Sequence, residues 1–563
     1  MTVKEQVVQV LSQVLTDQLS KEEITNLIEQ PSNPEHGDLA FPTFALAKIL
    51  RKAPQQIASD LASQIDGSAF EKIVVEGAYI NFFIKQGEFA GQVINQILQA
   101  GESYGSSDLG QKGKVPVDMS SPNIAKPMSM GHLRSTVLGH SLALILEKIG
   151  YQPIRINHLG DWGTQFGKLI VAYKAWGDEE TVKQDPVNEL VKLYVDFHER
   201  AEEDPTLDDQ ARLAFRKLEE GDPDYLALWE WFKEESIKEF DRVYQMLNIQ
   251  FDHYTGESFY NDKMDEILDL LEEKGLTKIE QGATIVDLSA YELPVALIKK
   301  SDGATLYLTR DLATAYYRYR TFNFVKSLYL VGNEQANHFK QLKAVLKEMG
   351  NDWYENMHHI PFGLITLNGK KLSTRKGKIV LLEKVLNEAI EIAYEQISQK
   401  NPDLENKEEI AHQVGVGAVV FHDLKSDRQN SFDFNLNEIV QFEGETGPYV
   451  QYTYARLNSI LRKYGKEVTC SDSFNLSGDL HWELVKTLQD YPAIIVKAAD
   501  KFEPSAIAKY AILLAQMANK YYARVRILDQ DGELADRIRL IKVITIVLKD
   551  ALSLLGIAAP AQM

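Results

Sequence analysis

The sequence contains a single cysteine and no long apolar run, and each shortage excludes a class of protein. Cys470 has no partner for an internal disulfide and excludes a cysteine-based zinc site. This usage is typical of a reducing compartment, so we expect a cytoplasmic protein. No run approaches the about 18 uninterrupted apolar residues of a membrane span. The start of the chain, MTVKEQVVQVLSQVL, also lacks the basic and apolar regions of a signal peptide.

The chain has too few basic residues to balance its acidic ones, with a formal net charge of −20 over 563 residues. The imbalance is uneven. Residues 178–239 carry 20 acidic side chains against 8 basic ones, whereas residues 497–549 carry 10 basic against 6 acidic. A polyanion responds to the local field, so the overall charge does not exclude an RNA partner. We interpret 178–239 as a solvated helical insertion.

Residues 115–158 predict a parallel strand–helix–strand unit. An apolar strand at 115–119 is followed by a loop containing Pro122 and Pro127. From Leu133 the apolar residues recur at helical spacing as far as Gly150, and a second strand follows at 153–158. Ligands of open α/β sheets bind at such loops, where a helix start offers free N–H groups to phosphate. The unit therefore predicts a doubly wound α/β domain with a nucleotide at this loop.

His132 is the candidate catalytic residue of that loop, beside Gly131. An imidazole at a helix start can donate a hydrogen bond to a phosphoryl oxygen. The alternative is a strand-to-helix turn in which the histidine caps a local group. The loop has neither G-x-x-x-x-G-K-[ST] nor G-x-G-x-x-G, which disfavours a P-loop ATPase and a dinucleotide enzyme. A second glycine-rich loop at 158–167 is either part of the site or a compact loop packed on Trp162.

A second candidate segment lies at 362–380. The run ITL, then Asn368-Gly369, then KKL predicts a hairpin. The loop STRKGK follows, and residues 370–378 together contain five cations. Such a loop can neutralise charge that develops on a leaving triphosphate, although a solvated basic loop tip is the alternative. We expect the hairpin loop and the His132 loop to meet over one nucleotide.

The last part of the chain predicts helices in which aromatic residues alternate with cations. Tyr521 and Arg524 lie in the segment Lys520-Tyr521-Tyr522-Ala523-Arg524. Basic residues bind phosphates and aromatic rings stack on unpaired bases, so these two residues are candidate RNA contacts. A helical bundle with tyrosines at its edges is the alternative. A strand-like piece is predicted within 414–435, and a strand at 306–309 before a helix at 310–320.

With these segments in view, the chain resembles the class I aminoacyl-tRNA synthetases, and among them the arginyl-tRNA synthetase family. SSPNIAKPMSMGHLRST (120–136) is similar to the first class I signature, with Ser129 in place of its first histidine. KKLSTRKG (370–377) is similar to the second signature. Four further blocks extend the resemblance over the chain: PEHGDLA (34–40), INHLGDWGTQFG (156–167), LYLTRDLATA (306–315) and ETGPYVQYTYAR (445–456).

The resemblance implies three domains and a two-step ligase reaction. The domains are an N-terminal tRNA-contacting α/β domain (1–105), a Rossmann-like catalytic domain (106–442, with the acidic insertion near 178–260) and a helical anticodon-binding domain (443–563). Arginine would be activated by ATP with Mg²⁺ and then transferred to the terminal adenosine of tRNA(Arg). In this family the first step generally needs bound tRNA. We expect a monomer with no tightly bound metal and no membrane partner.

The resemblance also implies site residues. The expected catalytic residues are His132, Lys371, Ser373 and Arg375. The expected ATP contacts are Pro127, Gly131, His132, Lys370, Lys371, Ser373, Thr374 and Lys376. The expected arginine contacts are Ser121, Asn123, His132, Asn157, Tyr307, Asp311 and Gln335. The expected tRNA contacts are Tyr449, Tyr452, Arg456, Tyr521 and Arg524.

Two rival functions fit parts of the pattern. One is a related nucleotidyltransferase, or a synthetase for another amino acid. The other is a non-catalytic RNA-binding paralogue, suggested by Ser129. The second rival predicts RNA binding without adenylate formation.

Overall fold

The structure is a computed structural model that describes residues 2–300, 307–367 and 380–563, together with the backbone of Lys370 and Lys371. The sequence also predicts a strand pair around the turn dipeptide Asp302-Gly303, which lies outside these residues. The α-helices are, in chain order, α1 Val3–Val14, α2 Lys21–Leu27, α3 Leu46–Leu50, α4 Pro54–Ala62, α5 Gln86–Ala100, α6 Leu133–Lys148, α7 Thr164–Trp176, α8 Glu179–Gln184, α9 Pro186–Glu203, α10 Thr206–Glu219, α11 Pro223–Met246, α12 Met264–Glu273, α13 Tyr307–Phe322, α14 Ala336–Glu348, α15 Leu382–Lys400, α16 Lys407–Leu424, α17 Leu436–Ile439, α18 Gly447–Tyr464, α19 Leu480–Asp500, α20 Ser505–Arg524 and α21 Leu534–Leu554.

The strands of the described residues form four separate sheets. In chain order, the strands are β1 Leu39–Pro42, β2 Phe70–Glu76, β3 Tyr79–Ile84, β4 Lys114–Asp118, β5 Gln152–Asn157, β6 His253–Tyr254, β7 Thr277–Glu280, β8 Ala283–Val286, β9 Ala296–Lys299, β10 Ser327–Tyr329, β11 Met357–His359, β12 Ile365–Leu367, β13 Lys370–Lys371 and β14 Phe432–Asp433. None of the helices in the described ranges is both long and apolar enough to cross a bilayer.

The chain divides into two compact units. The first comprises Met1–Tyr104, Ile460–Asp490 and Met517–Ile546, and the second comprises Gly105–Ser459, Tyr491–Gln516 and Val547–Met563. In the first unit, β1, β3 and β2 form an antiparallel sheet. Helices α1 and α2 begin at capping boxes, in which Thr2 and Ser20 exchange hydrogen bonds with a glutamate three residues later.

The second unit is built on a five-stranded parallel sheet in the order β11-β10-β4-β5-β6. The predicted unit of strand, loop, helix and strand is confirmed as β4, α6 and β5. Helix α6 is buried along most of its length, as expected for a helix that packs on the sheet. Because all five strands run in the same direction, their carboxyl ends share one edge of the sheet, where the loop before α6 begins.

Two small sheets accompany the parallel sheet in the second unit. One is antiparallel, in the order β7-β8-β9. In the other, β12 pairs antiparallel with β13 and parallel with β14. The pairing of β12 with β13 confirms the hairpin predicted on either side of Asn368-Gly369, although those two residues lie outside the described part of the chain. Helices α8–α11 confirm the helical nature of the acidic insertion.

The structure corrects two secondary-structure predictions. Tyr307–Thr309, predicted as the end of a strand, form the first turn of α13. Residues 414–424, predicted to break the helical pattern with a strand-like piece, belong to α16, and only Phe432–Asp433 form a strand. Eleven residues of α16 are buried, including eight in an unbroken run from Val414 to Phe421. A helix that is apolar on all sides shows no amphipathic period, so its valine-rich run resembles a buried strand.

Candidate active site

The loop between β4 and α6 has an unusual backbone that neighbouring segments hold in place. Ser120, Ser121 and Ala125 have φ values of 72°, 52° and 59°, in the left-handed region that non-glycine residues rarely adopt. Gly160 donates to the carbonyl of Pro122 and accepts from the N–H of Ile124. The N–H of Ala125 donates to the Ser236 hydroxyl of α11. Backbone strain that is held in this way is typical of functional sites.

His132 is positioned by the residue that replaces the first histidine of the signature. The backbone N–H of Ser129 donates to Nδ1 of His132 at 3.1 Å. Since Nδ1 accepts this hydrogen bond, the proton of the neutral ring resides on Nε2. Burial lowers the pKa of His132, and the charge of Lys126 lowers it further. His132 is therefore a neutral donor through Nε2 at the start of α6.

The two ends of the cationic loop lie against the residues that flank His132. After the loop, the N–H of Met130 donates to Val380, and the N–H of Leu382 donates to Met128, at 2.9 and 3.0 Å. Before the loop, the guanidinium of Arg134 donates to the carbonyl of Gly363 at 3.0 Å. The residues on both sides of the cationic loop are therefore hydrogen-bonded to residues that flank His132. The structure thus brings the ends of the two predicted segments together.

The predicted ATP contacts are distributed over these two segments. Pro127 and Gly131 lie on the His132 loop, and Gly131 is exposed. Lys370 and Lys371 form strand β13, but their side chains lie outside the described residues. Ser373, Thr374, Arg375 and Lys376 also lie outside them.

A cavity of about 410 Å³ opens at the carboxyl edge of the parallel sheet. Four of the predicted arginine contacts line it together: Ser121, Tyr307, Asp311 and Gln335. Tyr307 and Asp311 are one turn apart on α13, so correcting the start of this helix places both side chains on one face. The remaining lining residues are Asp118, His158, Glu257, Thr314, Tyr329, Val331, His338, Phe339 and Leu342.

Three predicted arginine contacts do not line this cavity. Asn157 is fully buried, and its amide donates to the Tyr244 hydroxyl at 2.9 Å. Asn123 is exposed and forms a single bridge with Gly160. His132 lies further along the same loop. Asn157 and Asn123 therefore help to shape the loop beside the cavity.

The cavity carries more carboxylates than the sequence predicted. Asp311 accepts from Nε2 of His338 at 2.5 Å. Asp118 pairs with the fully buried Arg318 at 2.8 Å and accepts from the Ser121 hydroxyl at 3.1 Å. Burial raises the pKa of Glu257 to about 7, against the opposing charge of Arg310. A cavity lined by several carboxylates suits a guanidinium ligand.

The sequence contained a signal for one of the missed residues. Asp118 is the last residue of β4, and side chains at the carboxyl ends of parallel strands face the ligand crevice. His338 follows Gln335 at one-turn spacing, but the sequence alone does not show that it contacts Asp311 across the cavity. Glu257 lies in a 3₁₀ segment far along the chain, and only the fold brings it to the site.

A second cavity of about 430 Å³ shares Tyr307 with the first. Its lining includes Trp162, Phe215 and Arg310. Tyr307 is 69% exposed, so its ring is accessible to a ligand. The glycine-rich loop 158–167, whose role the sequence left open, borders this cavity through Trp162 and Gly163 and also packs Trp162 against Trp229 and Phe215.

The candidate RNA contacts differ in exposure. In the second unit, Tyr449, Tyr452 and Arg456 recur at helical spacing on α18, and the guanidinium of Arg456 lies over the Tyr452 ring. In the first unit, Tyr521 is 3% exposed, and burial raises its pKa to about 12. A buried ring cannot stack on a base, which corrects the prediction for Tyr521. The exposed ring of that segment belongs to Tyr522.

Known proteins match this chain over its whole length. Residues 93–436 match the family model for tRNA synthetases class I (R), catalytic domain, residues 450–563 match the DALR anticodon binding domain, and residues 1–84 match the arginyl tRNA synthetase N terminal domain. The chain is 62% identical to the arginine–tRNA ligase of Enterococcus faecalis and 59% identical to that of Latilactobacillus sakei, with all of both chains covered.

Solved structures agree in fold. The arginyl-tRNA synthetase of Thermus thermophilus superposes with a TM-score of 0.82 at 26% identity, with all of both chains covered. The arginyl-tRNA synthetase of Plasmodium falciparum has a TM-score of 0.81 at 24% identity, again over the full length of both chains.

Proposed function

The chain belongs to the arginyl-tRNA synthetases of class I, and from this premise we propose how its residues divide the reaction. It is an arginine–tRNA ligase that uses ATP. In the first step, a carboxylate oxygen of arginine attacks the α-phosphorus of ATP, and the bond to the β-phosphate breaks to release pyrophosphate. In the second step, a ribose hydroxyl of the terminal adenosine attacks the arginyl carbonyl and displaces AMP. The substrate supplies each nucleophile.

Catalysis of the first step then consists of positioning and charge stabilisation. We assign the Nε2–H of His132 to an oxygen of the triphosphate, together with the N–H groups at the start of α6. The cationic residues of 370–378 neutralise the departing pyrophosphate. Mg²⁺ enters with ATP as part of the substrate. One observation carries this assignment: the chain on both sides of the cationic loop is hydrogen-bonded to residues flanking His132.

The carboxylate-lined cavity receives arginine. Asp311 offers an oxygen to the guanidinium, Glu257 adds negative charge, and Ser121 and Gln335 bind the backbone end of the amino acid. The neighbouring cavity has aromatic surfaces and a volume suited to the terminal adenosine, with Tyr307 between the two substrates. Transfer then needs no movement of the adenylate between distant sites.

The rest of the chain binds tRNA(Arg). Residues 1–105 form the N-terminal domain that contacts the body of the tRNA, and residues 443–563 form the anticodon-binding domain. Residues 106–442 form the catalytic domain, with its insertion near 178–260. Tyr449, Tyr452, Arg456 and Arg524 are the proposed contacts of the helical domain, with Tyr522 in place of Tyr521. We further propose that the protein is a monomer located in the cytoplasm.

The experiment that tests this function is pyrophosphate exchange into ATP with purified tRNA(Arg). Arginine is expected to support exchange, and lysine and citrulline are expected to fail. Lysine lacks the planar fork, and citrulline has the shape of arginine without its charge. Equal exchange with lysine would identify a synthetase of different specificity. Binding of tRNA without any exchange would identify a non-catalytic RNA-binding protein.

A further inference from the structure

Arg134 makes an unusual set of contacts immediately after His132. It lies in the first turn of α6 and is 1% exposed. Its Nη1 donates to the carbonyls of Gly363 and Asn430 at 3.0 and 2.8 Å, and its Nε donates to Asp423 at 3.3 Å. Its guanidinium also lies over the Phe432 ring. One side chain therefore joins the helix that carries His132 to three other segments.

Two of those segments lead into β12, the first strand of the hairpin that carries the cationic loop, and into β14, which pairs with β12. Gly363 precedes β12 by two residues, and Asn430 precedes β14 by the same spacing. Strands β12 and β14 pair with each other, and the N–H of Leu364 donates to the Ser431 hydroxyl. Arg134 therefore binds the pair of strands at the point where the chain enters the hairpin.

We propose that Arg134 is a positioning residue that sets the distance between His132 and the hairpin of the second signature. This inference rests on the proposed function, because it assigns both segments to the same ATP. Without the two carbonyl bonds, this pair of strands is free to shift relative to α6. A shift of about 1 Å between groups that bind one transition state can cost on the order of 10²-fold in rate.

Stability alone is a poor explanation for this arrangement. A buried ion pair is often no more stabilising than apolar residues of the same volume. Asp423 is completely buried, and within the described part of the chain one of its oxygens has no hydrogen-bond partner, as is also true of Nη2 of Arg134. What the guanidinium supplies beyond its charge is a planar set of donors that reaches two carbonyls and one carboxylate together.

The test uses Arg134→Lys, which keeps the charge beside Asp423 and loses the planar set of donors. Pyrophosphate exchange is measured with saturating tRNA(Arg). We expect kcat to fall on the order of 10²-fold, while KM for arginine and for tRNA changes less than about twofold, because Arg134 lies outside the arginine cavity. A role in folding alone would lower the melting temperature and leave kcat per folded molecule unchanged.

Arg537→Lys is the matched control. Arg537 is 4% exposed and also donates to two backbone carbonyls and an aspartate, but all these partners lie within residues 527–531 of the first unit. We expect it to lose stability to a similar extent without the fall in kcat. An equal fall in both variants, or an unchanged kcat in Arg134→Lys, overturns the proposal.

A second variant covers the case in which Arg134→Lys does not fold. In Gly363→Ala, the added Cβ would lie 2.6 Å from the backbone of Asn430, which forces apart the two carbonyls that Arg134 holds without changing any charge. The same loss of kcat at constant KM for arginine is expected, and a normal kcat would refute the role of Arg134. If the wild type itself shows no exchange with arginine, the proposed function fails. If the wild type is active and both variants match it, only this inference fails.

Discussion

At the scale of single residues, the replacement of the first signature histidine by Ser129 affects the position and tautomer of His132 less than the sequence suggests. The partner of His132 is the backbone N–H of residue 129, and every residue except proline provides that donor. The Ser129 hydroxyl is 3.3 Å from the same nitrogen and adds only a second, weaker contact. The tautomer that donates through Nε2 is therefore fixed by the fold of the loop.

We expect Ser129→Ala to retain activity. Its exchange rate should fall less than about fivefold, because a neutral hydrogen bond contributes about 1 kcal/mol. His132→Ala, in contrast, should lose on the order of 10²-fold in turnover, since it removes a donor to the reacting phosphates. Steady-state exchange at saturating substrates compares the two. A loss in Ser129→Ala as large as that in His132→Ala would show that the hydroxyl is the essential partner.

We expect arginine binding to depend on pH through Glu257. Burial raises its pKa to about 7, so the carboxyl is mostly neutral at pH 6 and mostly charged at pH 8. The added negative charge should tighten binding of the guanidinium as pH rises, on the order of tenfold for a charged contact. Calorimetric titration of arginine at both pH values, without ATP, measures the effect. Glu257→Gln should bind with little change between them, and an unchanged pH dependence in this variant would exclude Glu257 as its source.

The residues of the site were predictable where the family blocks cover them. Ser121 comes from the block 120–136, and Tyr307 and Asp311 come from the block 306–315. The structure gathers these three in one cavity with Gln335, which the resemblance also implied but which lies outside the quoted blocks. His338 and Glu257 were not predictable in this way. Both residues reach the cavity only through the fold, and a single sequence does not show which distant residues lie close together.

At the scale of elements, the helix that carries His132 is fixed by close contact with the strand before it. A Cβ at Gly139 of α6 would lie 2.4 Å from the side chain of Met119, which follows β4. Glycine is therefore required by the approach of helix to sheet, although its φ is ordinary.

Gly139→Ala should destabilise the second unit. Overpacking of a tight interior typically costs about 1–3 kcal/mol of unfolding free energy. Gly532→Ala is the matched control, because no atom of the described residues lies within 4 Å of the Cβ it would add. Urea unfolding followed by circular dichroism compares the two. Equal stability of Gly139→Ala and the wild type would mean that Met119 moves away without cost.

Elements were predicted well where their apolar period is distinct, as for α6 between β4 and β5. The predictions failed at α13 and α16 for a physical reason. Tyr307–Thr309 have high strand propensity, but the contacts of α13 outweigh it. Helix α16 is buried on nearly all sides, so its sequence shows no polar face. In both cases tertiary packing decides the structure.

At the scale of the whole molecule, several partly buried histidines are neutral. Burial lowers the pKa of His140, His358 and His422 to about 4 in each case. The unfolded chain binds these protons near pH 6.5, so between pH 6.5 and 4 it binds more protons than the folded chain. These three histidines therefore do not reduce the free energy of unfolding above pH 6.5. They reduce it increasingly as the pH falls from 6.5 towards 4.

Thermal unfolding should therefore occur at lower temperature at pH 5 than at pH 7. His422→Phe keeps an aromatic ring beside Phe432 and Phe434 but cannot bind a proton. The difference between the two pH values should be smaller in this variant than in the wild type. Scanning calorimetry of both proteins provides the comparison, and identical differences would show that His422 does not contribute.

One ATP is expected to lie between the His132 loop and the cationic hairpin, next to arginine in the carboxylate-lined cavity. A crystal structure with arginine and a non-hydrolysable ATP analogue would test this arrangement. We expect a phosphate oxygen within hydrogen-bonding distance of Nε2 of His132, lysine side chains of 370–378 on the terminal phosphates, and the guanidinium on Asp311. A nucleotide bound away from His132, or a guanidinium outside the cavity of Asp311, would contradict it.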